Sequence, residues 1–123
     1  VHLILGLPHE TREMMSASVQ AIANLPVWGI KLQLLHVLSG TDLAAYYEKT
    51  HFPVFSMDEY CEMIIDCLEL LPPEMVIRRI TGDGPKDLLI APMWSTGKRT
   101  VLNQIHRRLK ERNTYQGRLA TKR

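Results

Sequence analysis

Three short apolar runs, at residues 1–5, 28–37 and 75–80, each stop at a turn containing glycine, and helical periodicity follows each of them. Few folds accommodate that order, because connections of this length join parallel strands through right-handed crossovers. The sequence therefore predicts an α/β fold, a three-stranded parallel βαβαβα unit. The first run, closed by Gly6-Leu7-Pro8, reads as a strand covered on both faces. A helix over 11–25 turns Met15, Val19, Ile22 and Leu25 inward and ends at Pro26. A short helix is expected at 42–49. Ser56 with Glu59 three residues on forms a capping box for a helix over 57–71, which buries Cys61, Ile64, Ile65, Leu68 and Leu71 and shows Asp58, Glu59, Glu62, Asp66 and Glu69 outward. A short apolar piece, Leu88-Leu89-Ile90, precedes a last helix over 96–112 with Val101, Leu102, Ile105 and Leu109 on one side.

A chain of 123 residues has one domain's length. Residues 1–112 form that domain, and 113–123 read as a basic tail in which Tyr115 and Leu119 are the side chains able to dock. Because Val1 begins inside an apolar run, the chain is expected to be a fragment. No apolar run approaches the roughly 18 residues of a membrane span. Cys61 and Cys67, six residues apart on a helix, are separated by about 9 Å along its axis and cannot bond to each other. With so few cysteines the protein is expected in the cytoplasm.

Formal charge is +2, but residues 98–123 carry about +8 and residues 1–97 about −6. A basic end of this kind either meets a polyanion or docks on the chain's own acidic surface. The candidate nucleic-acid contacts are Lys98, Arg99, Arg107, Arg108 and Lys110.

In parallel α/β sheets the loops at the strands' carboxyl ends gather on one face, where ligands bind. Three loops are expected there: 6–10 with Gly6, His9 and Glu10; 36–41 with His36, Ser39, Gly40 and Thr41; and 81–85 with Thr81, Gly82, Asp83 and Gly84. Neither a Walker lysine loop nor a G-x-G-x-x-G follows a strand, the histidines and cysteines lack zinc-site spacing, and no serine sits in a nucleophile elbow.

The stretches Ile4-Leu5-Gly6-Leu7-Pro8-His9-Glu10-Thr11, Leu35-His36-Val37-Leu38-Ser39-Gly40-Thr41-Asp42-Leu43 and Val76-Ile77-Arg78-Arg79-Ile80-Thr81-Gly82-Asp83, in that order, resemble the second half of radical S-adenosylmethionine (SAM) proteins. The likeness is to a bacterial group related to the Elongator catalytic subunit and to oxygen-independent coproporphyrinogen oxidases, and it covers nearly the whole chain. His9 departs from the family's usual G-L-P-G-E turn. The resemblance implies half of a partial (β/α)6 TIM-like barrel, strands four to six with their helices, and an N-terminal half of the same protein as partner. It implies a [4Fe-4S] cluster held by a C-x3-C-x2-C loop that this sequence lacks. SAM would bind that cluster and be cleaved to a 5′-deoxyadenosyl radical, and the fragment alone would be inactive. Gly6, Glu10, Arg78, Thr81, Gly82, Asp83 and Gly84 are then the candidates for SAM, and Lys31, Gln33 and His36 for substrate. Kinship with the Elongator subunit, with the basic helix, points to a tRNA or another nucleic acid as partner. The alternative is a complete α/β nucleic-acid-binding or assembly module, and three strands cut from a barrel are expected to self-associate.

Overall fold

The computed structural model describes residues 2–80 and 86–120. Three parallel strands, β1 (His2–Leu5), β2 (Gly29–Leu34) and β4 (Val76–Arg79), form one sheet in the order β1-β2-β4. The crossovers are α1 (Arg12–Ala23) and, between β2 and β4, α2 (Asp42–Thr50) and α3 (Met57–Leu70), while α4 (Lys98–Glu111) follows the sheet. The predicted α/β class and the parallel pairing are therefore observed. His2 pairs with Lys31 and Leu5 with Leu34, and Leu35 N–H donates to Leu5 C=O at 3.0 Å, so the ladder runs to the strands' carboxyl ends.

All helices that touch this sheet cover one face of it. Ile30, Leu32 and Leu34 of β2 are buried against them, whereas Gly29, Lys31 and Gln33 alternate onto the other face. The same division corrects the reading of β1. It was expected to be covered on both sides, yet Leu5 is buried while Ile4 is 41% exposed, so no helix packs on β1 from the second face among the described residues. The predicted strand over 28–37 also divides. β2 stops at Leu34, and a two-residue strand β3 (Val37–Leu38) pairs antiparallel with β5 (Leu89–Ala91) over a small core of Val37, Ala44, Phe52 and Ala91. Trp28, expected within a strand, is exposed.

α3 is the central element. Its capping box is present in full, Ser56 Oγ accepting from Glu59 N–H at 3.1 Å and Glu59 Oε1 from Ser56 N–H at 3.0 Å. Tyr60, Cys61, Met63, Ile64, Ile65, Cys67 and Leu68 are buried between the sheet, α1 and α4, and the Tyr60 hydroxyl donates to the Ile80 carbonyl just past β4. α1 ends earlier than predicted: Asn24 caps it, and Leu25 lies exposed beyond the inward stripe.

The acidic face of α3 receives the basic end of the chain. Arg108 bridges Asp58 and Glu62, Arg112 also reaches Glu62, and Arg12 of α1 pairs with Asp66. Residues 114–120 are folded onto the carboxyl end of α3 and are not a loose tail. Gly117 N–H donates to Leu68 C=O and Leu119 N–H to Glu69 C=O, both at 2.9 Å, and Gln116 Nε2 donates to the carbonyls of Pro72 and Met75. Tyr115 and Leu119, the apolar groups expected to dock, are exposed, since the attachment is made by polar groups. Glu69, expected outward, is covered: its carboxylate accepts from Thr114 Oγ1 at 2.6 Å and from Arg118 at 2.9 Å. The Thr114 hydrogen bond, aided by the Arg118 charge, holds the Glu69 carboxyl below its ordinary pKa against the opposing effect of burial.

A carboxylate with a lowered folded-state pKa stabilises the fold at neutral pH, and that contribution disappears as pH falls through the folded value. Glu69→Gln is expected to cost about 2 kcal/mol at pH 7. The cost should shrink below pH 4, which urea unfolding at both pH values measures.

Candidate functional site

The carboxyl ends of β1, β2 and β4 point the same way because the strands are parallel. After β1 the chain turns at Gly6, whose φ of +90° suits glycine and whose Cβ position lies 3.0 Å from the Phe55 ring. His9 also takes a positive φ, +65°, and its Nε2 lies 3.0 Å from the Tyr46 hydroxyl. A histidine thus stands where backbone geometry favours glycine, held by a hydrogen bond from α2. Glu10 N–H donates to Leu7 C=O and closes the turn, and Thr11 caps α1 by accepting from Met14 N–H.

A cleft of about 380 Å³ opens beside this turn, lined by Gly6, His9, Glu10, Met15, Phe55 and Glu59 among others. Glu10, one of its lining residues, has an Oε1 that is sealed from solvent and has no hydrogen-bond partner. Past the end of β2, His36 Nε2 is sealed and unpartnered in the same way. These are the buried side-chain atoms left unsatisfied among the described residues. Such atoms are rare because each costs about 1–3 kcal/mol. Burial, and then the charge of Lys98 at the start of α4, depress the His36 pKa and so favour the neutral imidazole. A second cleft of similar volume sits at the strands' amino ends, between Pro26, Trp28, Pro72 and Met75, and holds no such group.

Lys31 and Gln33 stand on the uncovered sheet face beside His2 and Ile4 of β1, as the alternation predicted. Arg78 lies on that face too, at a register shift in β4. Its side chain runs back over Gly29, where a Cβ would come 3.2 Å from Nε. Arg78 is therefore set near the amino end of β2, about 17 Å along the strand from Leu34, and is not brought to Glu10 and His36. The candidates Thr81, Gly82, Asp83 and Gly84 lie outside the described residues.

The basic candidates separate. Arg108 turns inward and is 19% exposed between Asp58 and Glu62, which removes it from the outward set. Arg99 and Lys110 are exposed, and Arg107 contacts Gln104 and Glu111 on its own helix. Lys98 is half-buried near His36.

Sequence reasoning missed Phe55 and Tyr46. Phe55 carried a readable signal: it precedes the Ser56 cap and packs on Tyr60 with ring centroids 6.0 Å apart, the pairing of a hydrophobic staple. Trp94 Nε1 then donates to the Phe55 carbonyl at 2.8 Å and fixes the cleft wall.

The Radical_SAM C-terminal domain family matches residues 27–111, more than half of the chain. The chain belongs to this family. This radical SAM C-terminal domain is 49% identical over 116 residues to YtqA of Bacillus subtilis, covering 94% of the chain and 36% of that protein. It is 32% identical over 117 residues to MJ0486 of Methanocaldococcus jannaschii, with the same coverage. The radical SAM C-terminal domain thus spans about a third of the length of these relatives. Its fold resembles the structure of archaeal Methanocaldococcus infernus Elp3 with a TM-score of 0.77 at 18% identity, covering 94% of this chain and 27% of the other.

The family implies SAM and a [4Fe-4S] cluster in the full-length protein. The donors here do not suit the cluster. Cys61 and Cys67 are buried in α3, burial pushes the Cys67 thiol up to about 12 and raises Cys61 as well, and no group of three potential metal ligands occurs among the described residues. They do suit SAM in part, since an unpartnered carboxylate oxygen at a glycine turn is an acceptor waiting for a hydroxyl or ammonium donor. No helix among the described residues is long and apolar enough to cross a membrane.

A buried carboxylate oxygen without a partner burdens the fold. Glu10→Ala is expected to raise stability by about 1 kcal/mol in urea unfolding. A loss of stability would instead make Glu10 structural.

Proposed function

We propose that the full-length protein is a radical SAM enzyme in which this chain supplies the carboxyl-terminal strands and one wall of the SAM and substrate pocket. The observation that carries the reading is the pair of sealed, unpartnered polar atoms, Glu10 Oε1 and His36 Nε2, past the ends of adjacent parallel strands in a chain of this family. Bound with a cluster held by the rest of the protein, SAM supplies one-electron, hydrogen-abstracting chemistry. The Gly6 turn admits the ligand close to main chain, and Glu10 accepts its hydrogen bonds. Lys31 and Gln33 face the substrate from the uncovered sheet surface. Neutral His36 acts as a hydrogen-bonding group, and Phe55 and Trp94 exclude water from the cleft wall.

The preceding part of the protein is the expected cover for the bare sheet face. In its absence the exposed edges of β1 and β4 favour pairing between copies. The isolated chain is expected to form dimers or larger species by light scattering, and a strict monomer at high concentration contradicts this. A reducing, cytoplasmic setting agrees with two free, buried thiols.

The test uses full-length protein, reconstituted anaerobically with iron and sulfide and reduced in the presence of SAM. Formation of 5′-deoxyadenosine is expected. Glu10→Ala should weaken SAM binding about tenfold, or about 1.4 kcal/mol, while retaining the cluster's absorption. Absence of SAM cleavage by the reduced, cluster-loaded protein would overturn the enzyme reading, and unchanged SAM binding in the variant would remove Glu10 from the site.

A further inference from the structure

The turn after β1 carries a residue that its backbone resists. His9 has φ of +65°, in the left-handed region that an L side chain rarely adopts, and it is exposed, so no packing forces it there. What holds it is the bond between Nε2 and the Tyr46 hydroxyl at 3.0 Å, which joins residues 37 apart in the chain. Strained residues persist where their surroundings over-determine them, and they cluster at ligand sites.

Tyr46 is itself held in place. Its ring stacks on Phe52 with centroids 5.7 Å apart at 30°, and Phe52 is buried and met edge-on by Tyr47 at 5.2 Å. Phe52 belongs to the small core with Val37, Ala44 and Ala91, and Val37 directly follows His36. The α2 unit is therefore a strut: one end is seated beside His36 past β2, and the other grips the turn past β1. The residue after His9 is Glu10, whose N–H closes the turn onto Leu7 C=O at 3.0 Å and whose Oε1 is sealed and unpartnered. His9 and Glu10 both line the cleft, together with Pro53, the neighbour of Phe52. The backbone angles at residue 9 set the direction in which Glu10 leaves the main chain, since φ and ψ are the soft dihedrals of a peptide.

We propose that His9 and Tyr46 are positioning residues of the SAM site: the Tyr46 hydroxyl, through the His9 ring, holds residue 9 in the left-handed conformation and so keeps Glu10 placed to accept the ligand's hydrogen bonds. This rests on the radical SAM reading of the cleft and adds to it two residues that act through Glu10. Glycine would take the same φ unaided. The turn depends on Tyr46 only because residue 9 has a side chain, and that dependence can be switched off.

The test is a double-mutant cycle in the full-length, cluster-loaded protein, read by equilibrium dialysis of SAM and, without SAM, by hydrogen exchange at the Glu10 amide. Tyr46→Phe removes one oxygen and should weaken SAM binding about fivefold, the worth of one hydrogen bond, and speed exchange by a similar factor. His9→Ala should do the same, and the two together no more than either, since both remove one bond. In a His9→Gly background, where the turn forms unaided, Tyr46→Phe should change neither quantity. Tyr115→Phe, the loss of an exposed hydroxyl elsewhere, should leave both at wild-type values. Circular dichroism checks that each variant is folded. Wild-type SAM affinity in Tyr46→Phe, additive losses in the double variant, or an undiminished loss in the His9→Gly background would each overturn the proposal and leave the enzyme reading standing. A cluster-loaded wild-type protein that binds no SAM would overturn the enzyme reading, and the proposal with it.

Discussion

The burial of α3 on both its flanks and beneath the sheet is the constraint from which the remaining structure follows. A 14-residue helix with eight buried positions has little solvent-facing surface of its own, and its acids sit along the seams with α1, α4 and the C-terminal segment. Apolar burial supplies the bulk of the cohesion, at roughly 25 cal/mol per Å². The ion pairs then fix which neighbour lies on which side. The half-exposed pairs add little individually, but Arg108, which is mostly covered and joins two carboxylates, aligns α4 against α3 and so determines which face of α4 is left outward.

A sheet covered on one side only is costly for an isolated chain and natural for a part of a larger one. The uncovered face of β2 shows Lys31 and Gln33, β1 shows Ile4 beside them, and Arg78 crosses Gly29. This is a mixed polar surface and not a second apolar core. It agrees with a chain that spans about a third of its relatives' length and with a fold that recurs inside a longer structure. The polar atoms without partners lie at the carboxyl rim of this sheet, where loops after parallel strands converge.

What could be read from the sequence was local. The Ser56 and Glu59 capping box, the Met15, Val19 and Ile22 stripe, and the alternation along β2 all depend on spacing within one element, and each is observed. Leu25 was misjudged because Asn24 ends the helix before the apolar spacing ends. Strands of two and three residues, such as β3 and β5, are too short for periodicity to register and exist through pairing between residues far apart in the chain. Of the site, the topology placed Gly6, Glu10 and His36 at strand ends, whereas the retreat of Arg78 depends on a register shift that spacing does not encode. Residues 114–120 looked unstructured for a related reason: their attachment uses main-chain N–H groups and the polar side chains of Thr114, Gln116 and Arg118, and apolar pattern carries no trace of them.

That attachment separates two kinds of boundary. The match to the radical SAM C-terminal domain family runs over residues 27–111. The carbonyls of Glu69 and Met75 receive donors from Leu119 and Gln116, and those of Leu68 and Pro72 gain from Gly117 and Gln116 a donor beyond the local one from Leu71 and Met75. A chain cut after residue 111 would therefore keep every described helix and strand yet leave the Glu69 carbonyl and carboxylate at the end of its central helix without these partners. Gly117 fits this segment closely against the chain, with φ of +91° and a Cβ position only 2.4 Å from Pro73. The folded unit thus runs past the segment that matches the family, and residues 114–120 serve as the hem that keeps α3 from fraying.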